Sequence, residues 1–344
     1  MVEPLLLRAL RRESVERCPV WLMRQAGRYM AEYRAVREAV PFLELCKRPA
    51  LCAEVMATAV EKLGVDAAII FSDILPILEP MGFSLSYEKG DGPKIANPFR
   101  EPSDLKRVQE TSDPSALGFV YETVSLTRKL VDPLPVIGFA GAPFTLAGYA
   151  IEGETSRNFH RTKRFMHTYP DAWKELLGRL ARSIARYLNE QIASGAQVVQ
   201  IFDSWVGCLG VEDFRAYVLP ALKELRAAIA SDALVVYFGT GNPALLPSFK
   251  EINADCYGVD WRTPLAFARE TLGSDCAIQG NLDPVVLLST PEVIRREAAR
   301  VLQQVDPSQG YIFNLGHGVL KETPVENAIL LVETVKEYGA RSNR

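Results

Sequence analysis

What most restricts the fold of this chain is a repeating alternation. Short apolar runs, rich in β-branched residues, recur near 19–22, 67–71, 135–140, 197–202, 234–238, 256–259, 276–279 and 311–315. Continuous apolar runs of this length suit parallel strands buried on both faces. Helical periodicity fills the intervals and is clearest over 172–194, 211–230, 291–304 and 324–338. Thr263-Pro264, Thr290-Pro291 and Thr323-Pro324 each set a hydroxyl before a first-turn proline, and Thr323 with Glu326 fits a capping box. Eight such alternations predict an α/β chain folded as a single (β/α)8 TIM-type barrel over residues 1–344, with a doubly wound sheet as the competing architecture. Residues 83–97 alternate around Gly90-Asp91-Gly92, which predicts a β-hairpin insertion after strand 2. The 141–195 crossover is long for a minimal barrel.

No low-complexity linker or charge run divides the 344 residues, so one large barrel accounts for the whole length. A net charge of −3 leaves no electrostatic footprint for nucleic acid. No run of 18 apolar residues predicts a membrane span. Met1 to Arg12 lacks the long apolar stretch and small-residue cleavage site of a secretory signal. The six cysteines, Cys18, Cys46, Cys52, Cys208, Cys256 and Cys276, contain no C-x-x-C pair. A chain this long needs no disulfide staples, so free thiols and a cytoplasmic location are expected.

In a barrel the reactive groups gather in the loops after the strands. Strand one runs into Trp21-Leu22-Met23-Arg24-Gln25-Ala26-Gly27-Arg28-Tyr29. Guanidinium forks four residues apart match carboxylate or phosphate oxygens, and the small residues between them let a ligand approach the backbone. The competing reading is a pair of solvated surface arginines. Strand two ends in Ser72-Asp73, where a carboxylate either caps the next turn or accepts N–H groups from a ligand. Tyr149, beyond strand three, is a core aromatic or a ligand contact. Ser204, at the end of strand four, caps a helix or holds a ligand; no G-x-S-x-G elbow surrounds it, which excludes a nucleophilic serine. His317 sits between two glycines after strand eight and either leans into the site or lies in a surface turn, while His160 and His167 fall in the long crossover. No cysteine follows Cys276, so His317 lacks the thiol partners of a zinc site. Gly239-Thr240-Gly241-Asn242-Pro243 lacks the lysine of a phosphate loop. Neither a metal nor an organic cofactor is expected.

The N-terminal run, extended to Pro19-Val20, resembles the signature of the uroporphyrinogen decarboxylase family. Ile70-Phe71-Ser72-Asp73-Ile74-Leu75 resembles the family's aspartate motif. Gly138-Phe139-Ala140-Gly141-Ala142-Pro143-Phe144-Thr145-Leu146 with Tyr149 resembles its tyrosine motif. Phe202-Asp203-Ser204-Trp205-Val206-Gly207 and Asn314-Leu315-Gly316-His317-Gly318 resemble the serine and histidine motifs. The similarity covers nearly the whole chain and departs from the family at none of these functional positions.

The resemblance implies a barrel that often dimerises. It implies conversion of uroporphyrinogen III to coproporphyrinogen III by four acetate decarboxylations, without metal or organic cofactor. It also implies substrate binding by Arg24, Gln25, Ala26, Gly27, Arg28, Arg37, Asp73, Tyr149, Ser204 and His317, with Asp73, Arg28 and Tyr149 as the catalytic set. The chemistry suits these residues. Loss of CO2 leaves a carbanion-like centre, and a protonated pyrrole ring serves as its own electron sink. A substrate with eight carboxylates needs local arginines to offset its self-repulsion. A carboxylate at 73 would accept the pyrrole N–H groups and favour the cationic ring. The proton donor stays open among Arg28, Tyr149 and a bound water. A zinc- or corrinoid-linked methyltransferase on the same barrel and a non-catalytic tetrapyrrole-binding protein are the alternatives. The first calls for metal-binding cysteines; the second needs the arginines but not Asp73.

Overall fold

The computed structural model describes residues 3–88, 92–111, 113–230, 232–306 and 309–340. Its strands are β1 (Ala68–Ile69), β2 (Leu85–Glu88), β3 (Gly92–Ile95), β4 (Val136–Gly141), β5 (Val198–Asp203), β6 (Leu234–Gly239), β7 (Cys256–Gly258), β8 (Ala277–Leu282) and β9 (Tyr311–Leu315). Seven of them form one parallel sheet in the order β1-β4-β5-β6-β7-β8-β9. The central strands are buried along nearly their whole length, as a sheet covered on both faces requires. Helices fill the crossovers, the longest being Pro170–Ala193. None among the described residues is long and apolar enough to cross a membrane.

The sheet is curled. The side-chain amide of Gln279 on β8 donates to Gln200 Oε1 on β5 at 3.1 Å, although β6 and β7 lie between them. In a flat sheet those strands would stand about 14 Å apart. Only a sheet bent back on itself brings the two amides together. Trp21 Nε1–H donates to Gln279 Oε1 at 2.9 Å, and Gln200 reaches the Met23 sulfur at 3.7 Å, so the polar chain crosses the inside of the curl.

The run expected as a first strand, 19–22, is a single bridge instead. Val20 pairs with Phe313 of β9 in parallel fashion, with Phe313 N–H donating to Pro19 O at 2.9 Å. Pro19 has no N–H of its own, which limits the ladder here. On its other side the run accepts the Asp66 N–H at Val20 O, 2.8 Å, just before β1. The two edges of the sheet are thus joined through 19–21. The Asp66 carboxylate fixes this join. It accepts both terminal nitrogens of Arg17, at 2.5 and 2.7 Å, and the Val20 N–H at 2.8 Å.

Two further expectations need correction. The helix expected over 211–230 is two, Val211–Tyr217 and Leu219–Ala228. Pro220 lacks the N–H that a continuous helix would use and crowds the preceding turn. The threonine caps do not form. The helices Leu265–Leu272 and Val325–Tyr338 begin after the prolines, with Pro264 and Pro324 extended at the cap positions, so Thr263 and Thr323 stand one residue too far back. Thr323 therefore makes no capping box, and its hydroxyl is buried without a partner among the described residues. The Thr290 hydroxyl turns to the Glu292 carboxylate rather than to a backbone N–H. The inserted hairpin is present as β2 paired antiparallel with β3, Leu85 opposite Ile95 and Glu88 opposite Gly92; most of its turn, residues 89–91, lies outside the described residues.

Replacing Asp66 by alanine leaves Arg17 and the Val20 N–H without their acceptor. The variant should lose about 1–3 kcal/mol of stability, read from the urea midpoint at unchanged slope. A loss below about 0.5 kcal/mol, the scale of an ordinary surface substitution, would show that this join does not depend on the carboxylate.

Candidate active site

Parallel strands deliver their following loops to one end of the sheet, and the polar residues singled out in the sequence collect there. Residues 23–30 form successive turns rather than a helix. Two ties hold them. Gln25 is fully buried; its amide donates to Ala67 O at 3.1 Å and its oxygen accepts Leu22 N–H at 3.3 Å. Asn314 Oδ1 accepts the N–H of Met23 at 3.1 Å and of Leu315 at 2.8 Å, while Val319 N–H donates to Met23 O at 2.9 Å. Between the ties Arg24 adopts φ 62°. Its aliphatic stem lies on Gly318, where any Cβ would overlap it.

This geometry sorts the sequence candidates. The side chains of Arg24 and Arg28 are exposed, and neither forms an ion pair with a described residue. The Gln25 side chain faces the core, which leaves only its backbone to meet a ligand. Ala26 is buried. Gly27 is small because a Cβ would come within 2.9 Å of Arg24 O, so the tight turn itself accounts for the glycine. Arg37 is also otherwise engaged. Its guanidinium donates to Val40 O and lies over the Phe42 ring at 5.5 Å.

Asp73 lies at the floor of the cleft, half-buried by exposure yet enclosed by protein. One carboxylate oxygen accepts Leu75 N–H at 2.9 Å, a turn two residues long; the helix that follows, Pro76–Leu78, is capped at Leu75 without a side-chain bond, so Asp73 is not its N-cap. The positive charge of Arg24 and the hydroxyl of Tyr87 favour its ionised form, but desolvation outweighs them and raises its pKa above the ordinary carboxylate value. Tyr149 projects from the helix Pro143–Glu152 toward the same carboxylate. Burial and the Asp73 charge push its pKa up to about 12, which makes it a neutral donor near pH 7. The Trp205 ring meets Tyr149 edge-on at 6.0 Å and Phe159 at 5.3 Å, and its buried indole N–H is turned toward Tyr149 without a well-formed hydrogen bond among the described residues.

Ser204 and Trp205 are positioned by the residue before them. Asp203 is fully buried and accepts Thr145 Oγ1 at 2.7 Å and Tyr237 OH at 2.8 Å. The Thr145 hydroxyl oxygen in turn accepts the Trp205 N–H at 3.3 Å. Desolvation pushes Asp203 up to about 6 despite its two donors. Ser204 itself is half-buried, its carbonyl accepting from Thr240 Oγ1 at 3.0 Å.

His317 enters the site as a neutral ring. Gly318 N–H donates to its Nδ1 at 2.8 Å, which assigns the proton to Nε2 and presents that nitrogen as a donor. Burial and, secondarily, the Arg24 charge lower its pKa to about 4. Among the described residues no three His, Cys, Asp or Glu side chains lie close enough to hold a metal ion.

Sequence reading missed Tyr87, Trp205 as a side chain in its own right, the Asp203 relay and the Trp21–Gln279–Gln200 chain. Glutamines inside strongly apolar runs were the available signal for the last of these, since a buried amide must find a partner.

Comparison with known proteins adds the following. The family described as Uroporphyrinogen decarboxylase (URO-D) matches residues 1–338. A uroporphyrinogen decarboxylase of Koribacter versatilis is 49% identical over 340 residues, covering 98% of this chain and 97% of that protein. One of Chloroflexus aggregans is 48% identical over 337 residues, covering 96% and 95%. Among solved structures, a methyltransferase from Methanosarcina mazei superposes with TM-score 0.83 at 20% identity, over 98% of this chain and 99% of that one. A B12-independent methionine synthase from Shewanella sp. W3-18-1 does so with TM-score 0.56 at 11% identity, over 84% and 86%. At such identities these two speak for the fold alone.

The ring state of His317 has a measurable consequence. An unfolded histidine binds its proton near pH 6.5, whereas the folded one binds it only near pH 4. Between those values the unfolded chain holds the extra proton, so this residue makes stability rise with pH across that window. Imidazole NMR should find His317 as the Nε2–H tautomer, uncharged at pH 5.5. A ring titrating near pH 6.5 would contradict the assignment.

Proposed function

Because the chain belongs to the uroporphyrinogen decarboxylase family, a carboxy-lyase family of porphyrin and heme biosynthesis, we propose that it converts the four acetate side chains of uroporphyrinogen III to methyls, giving coproporphyrinogen III. The observation that carries this reading is the state of Asp73. It is a desolvated carboxylate whose protein partners undercompensate its charge, within the field of Arg24, an exposed arginine that forms no ion pair among the described residues. Such a group is an electrostatic match for a ligand that becomes cationic where its N–H groups point.

The steps follow from that match. Arg24 and Arg28 receive substrate carboxylates at the rim, where charge-assisted forks offset the repulsion among them. The pyrrole N–H groups donate to the Asp73 oxygen that does not accept Leu75 N–H. Protonation of the ring carbon adjacent to the one bearing the acetate arm places positive charge on the ring, in conjugation with that arm, and Asp73 stabilises it. The C–CO2 bond then breaks and its electron pair flows into the cationic ring, leaving an exocyclic methylene; a second proton delivered to that carbon makes the methyl, and loss of the first proton from the ring carbon restores the neutral pyrrole. His317 Nε2–H, the Tyr149 hydroxyl and Ser204 hold carboxylate arms in place. Arg28 and Tyr149 belong to the catalytic set. A guanidinium is a very weak acid, so Tyr149 or a water is the better proton source.

Residues 1–344 form one domain in this reading, and the join through 19–21 supplies the eighth stave of a (β/α)8 barrel. The active form is a cytoplasmic homodimer, free of metal and organic cofactor. Zinc- or corrinoid-linked methyl transfer is the weaker reading, since the described residues offer no thiol-rich cluster to bind a metal.

The decisive assay follows coproporphyrinogen III formation from uroporphyrinogen III by the purified chain after exhaustive chelation. Undiminished turnover is expected; activity restored only by added Zn2+ would overturn the cofactor-free mechanism. Asp73→Asn keeps an oxygen for the Leu75 N–H and should fold with nearly unchanged stability. It should nevertheless lose kcat by about 10²-fold or more, the scale of removing one preorganised electrostatic group. A fully active Asn variant would remove Asp73 from the mechanism. Arg24→Ala and Arg28→Ala should each lower kcat/KM by more than about tenfold, through loss of a charge-assisted contact. Wild-type kinetics in both would return the pair to the solvated surface.

A further inference from the structure

The inserted hairpin carries a group that the mechanism above does not use. Tyr87 lies on β2, outside the main sheet, yet its side chain reaches the floor of the cleft. Its ring stands edge-on to Phe42 at 5.0 Å, and Phe42 meets Phe71 at 6.3 Å, two residues before Asp73. This aromatic stack fixes the depth to which the hairpin inserts. At its end the Tyr87 hydroxyl faces the Asp73 carboxylate, yet it makes no hydrogen bond of ordinary geometry with any described group. A buried hydroxyl whose one facing acceptor is imperfectly aligned is uncommon in a native protein, and it calls for a role.

We propose that Tyr87 is a positioning residue for the decarboxylation: its hydroxyl donates to one oxygen of Asp73 when substrate is bound, and so keeps that carboxylate ionised and aimed at the pyrrole N–H groups. The proposal rests on Asp73 acting as described above. Apo hydrogen bonds at catalytic sites are often poorly aligned and tighten in the substrate complex, which suits a hydroxyl already beside its acceptor. The groups facing Asp73 are Arg24 from the 23–30 turns, Tyr87 from the hairpin, Tyr149 from the helix Pro143–Glu152, Tyr187 from the helix Pro170–Ala193, and Cys46 from the helix Phe42–Cys46. Of these, Arg24 and Tyr87 favour the ionised carboxylate. The three remaining groups stay neutral near pH 7, because burial raises the pKa of each. Arg24 also binds substrate in this reading, which leaves Tyr87 as the group whose removal reports on Asp73 separately.

Tyr87→Phe keeps the ring stack and deletes only the hydroxyl. The acid limb of kcat/KM against pH, which reports Asp73 in the free enzyme, should move upward by on the order of one pH unit. At a pH well above that limb, kcat should still fall by about tenfold while KM changes little. Tyr87→Leu, which breaks the stack, serves as the packing control. A profile from Tyr87→Phe that overlays the wild type, with unchanged kcat, would overturn the proposal. So would equal losses in Tyr87→Phe and Tyr87→Leu with the acid limb unmoved, because packing alone would then explain them. Asp73→Asn run alongside separates the two failures. If it is inactive while Tyr87→Phe is normal, only the role of Tyr87 falls; if it is active, the mechanism beneath it falls as well.

Discussion

The fold depends on a join made by side chains. Between β9 and β1 the backbone supplies only a few hydrogen bonds, because the joining segment starts at a proline and forms one bridge. Asp66 grips this segment through Arg17 and Val20, Gln25 anchors its far end to Ala67, and Asn314 holds Met23. The Asp66 carboxylate and the Gln25 amide are buried and bonded, which is the condition under which buried polarity specifies one arrangement. The arginines emerge directly from this restrained segment. A site on a rigid element is more precise than one on a free loop, and here a loop gains rigidity from amides turned inward.

The electrostatics of the cleft follow the same logic. Burial opposes charge at His317 and works against the ionised form at Asp73, Tyr149 and Asp203. His317 and Tyr149 are thereby neutral donors, while the exposed arginines remain available to anions. The cleft therefore combines cationic forks at the rim, neutral donors on the walls and a poorly compensated carboxylate at the floor. A polyanionic ligand whose core turns cationic meets the opposite charge at each level. This layering explains how a chain of net charge −3 can receive such a ligand: the attraction is local and set by depth.

Much of this was legible in the residues. The seven strands of the sheet fall within or beside the apolar runs, because parallel strands buried on both faces leave a continuous signal. The proline-led crossovers were equally plain. What stayed hidden was whatever depended on partners distant in sequence. The periodicity over 211–230 could not reveal that Pro220 splits the helix, since both halves keep the same apolar face. Thr263 and Thr323 carry the composition of caps, but the helices start after the prolines. Arg37 has the chemistry of a substrate contact and is taken up by Val40 and Phe42. Tyr87 carried no motif at all; only the packing of the hairpin on Phe42 brings it to Asp73.

That hairpin shares no ladder with the main sheet, but it is not free of the molecule. Ile95 N–H donates to Gly153 O at 2.8 Å and Phe99 N–H to Ala150 O at 2.8 Å, which ties its outgoing strand to the end of the helix that bears Tyr149. Two tyrosines from separate elements therefore ride on one tethered unit. Variation inside the hairpin can retune the floor of the cleft without touching the strands that carry the fold. The same tether transmits any change in the hairpin's seating to Tyr149. The insertion thus acts as a dial set outside the sheet yet geared to the wall that bears Tyr149.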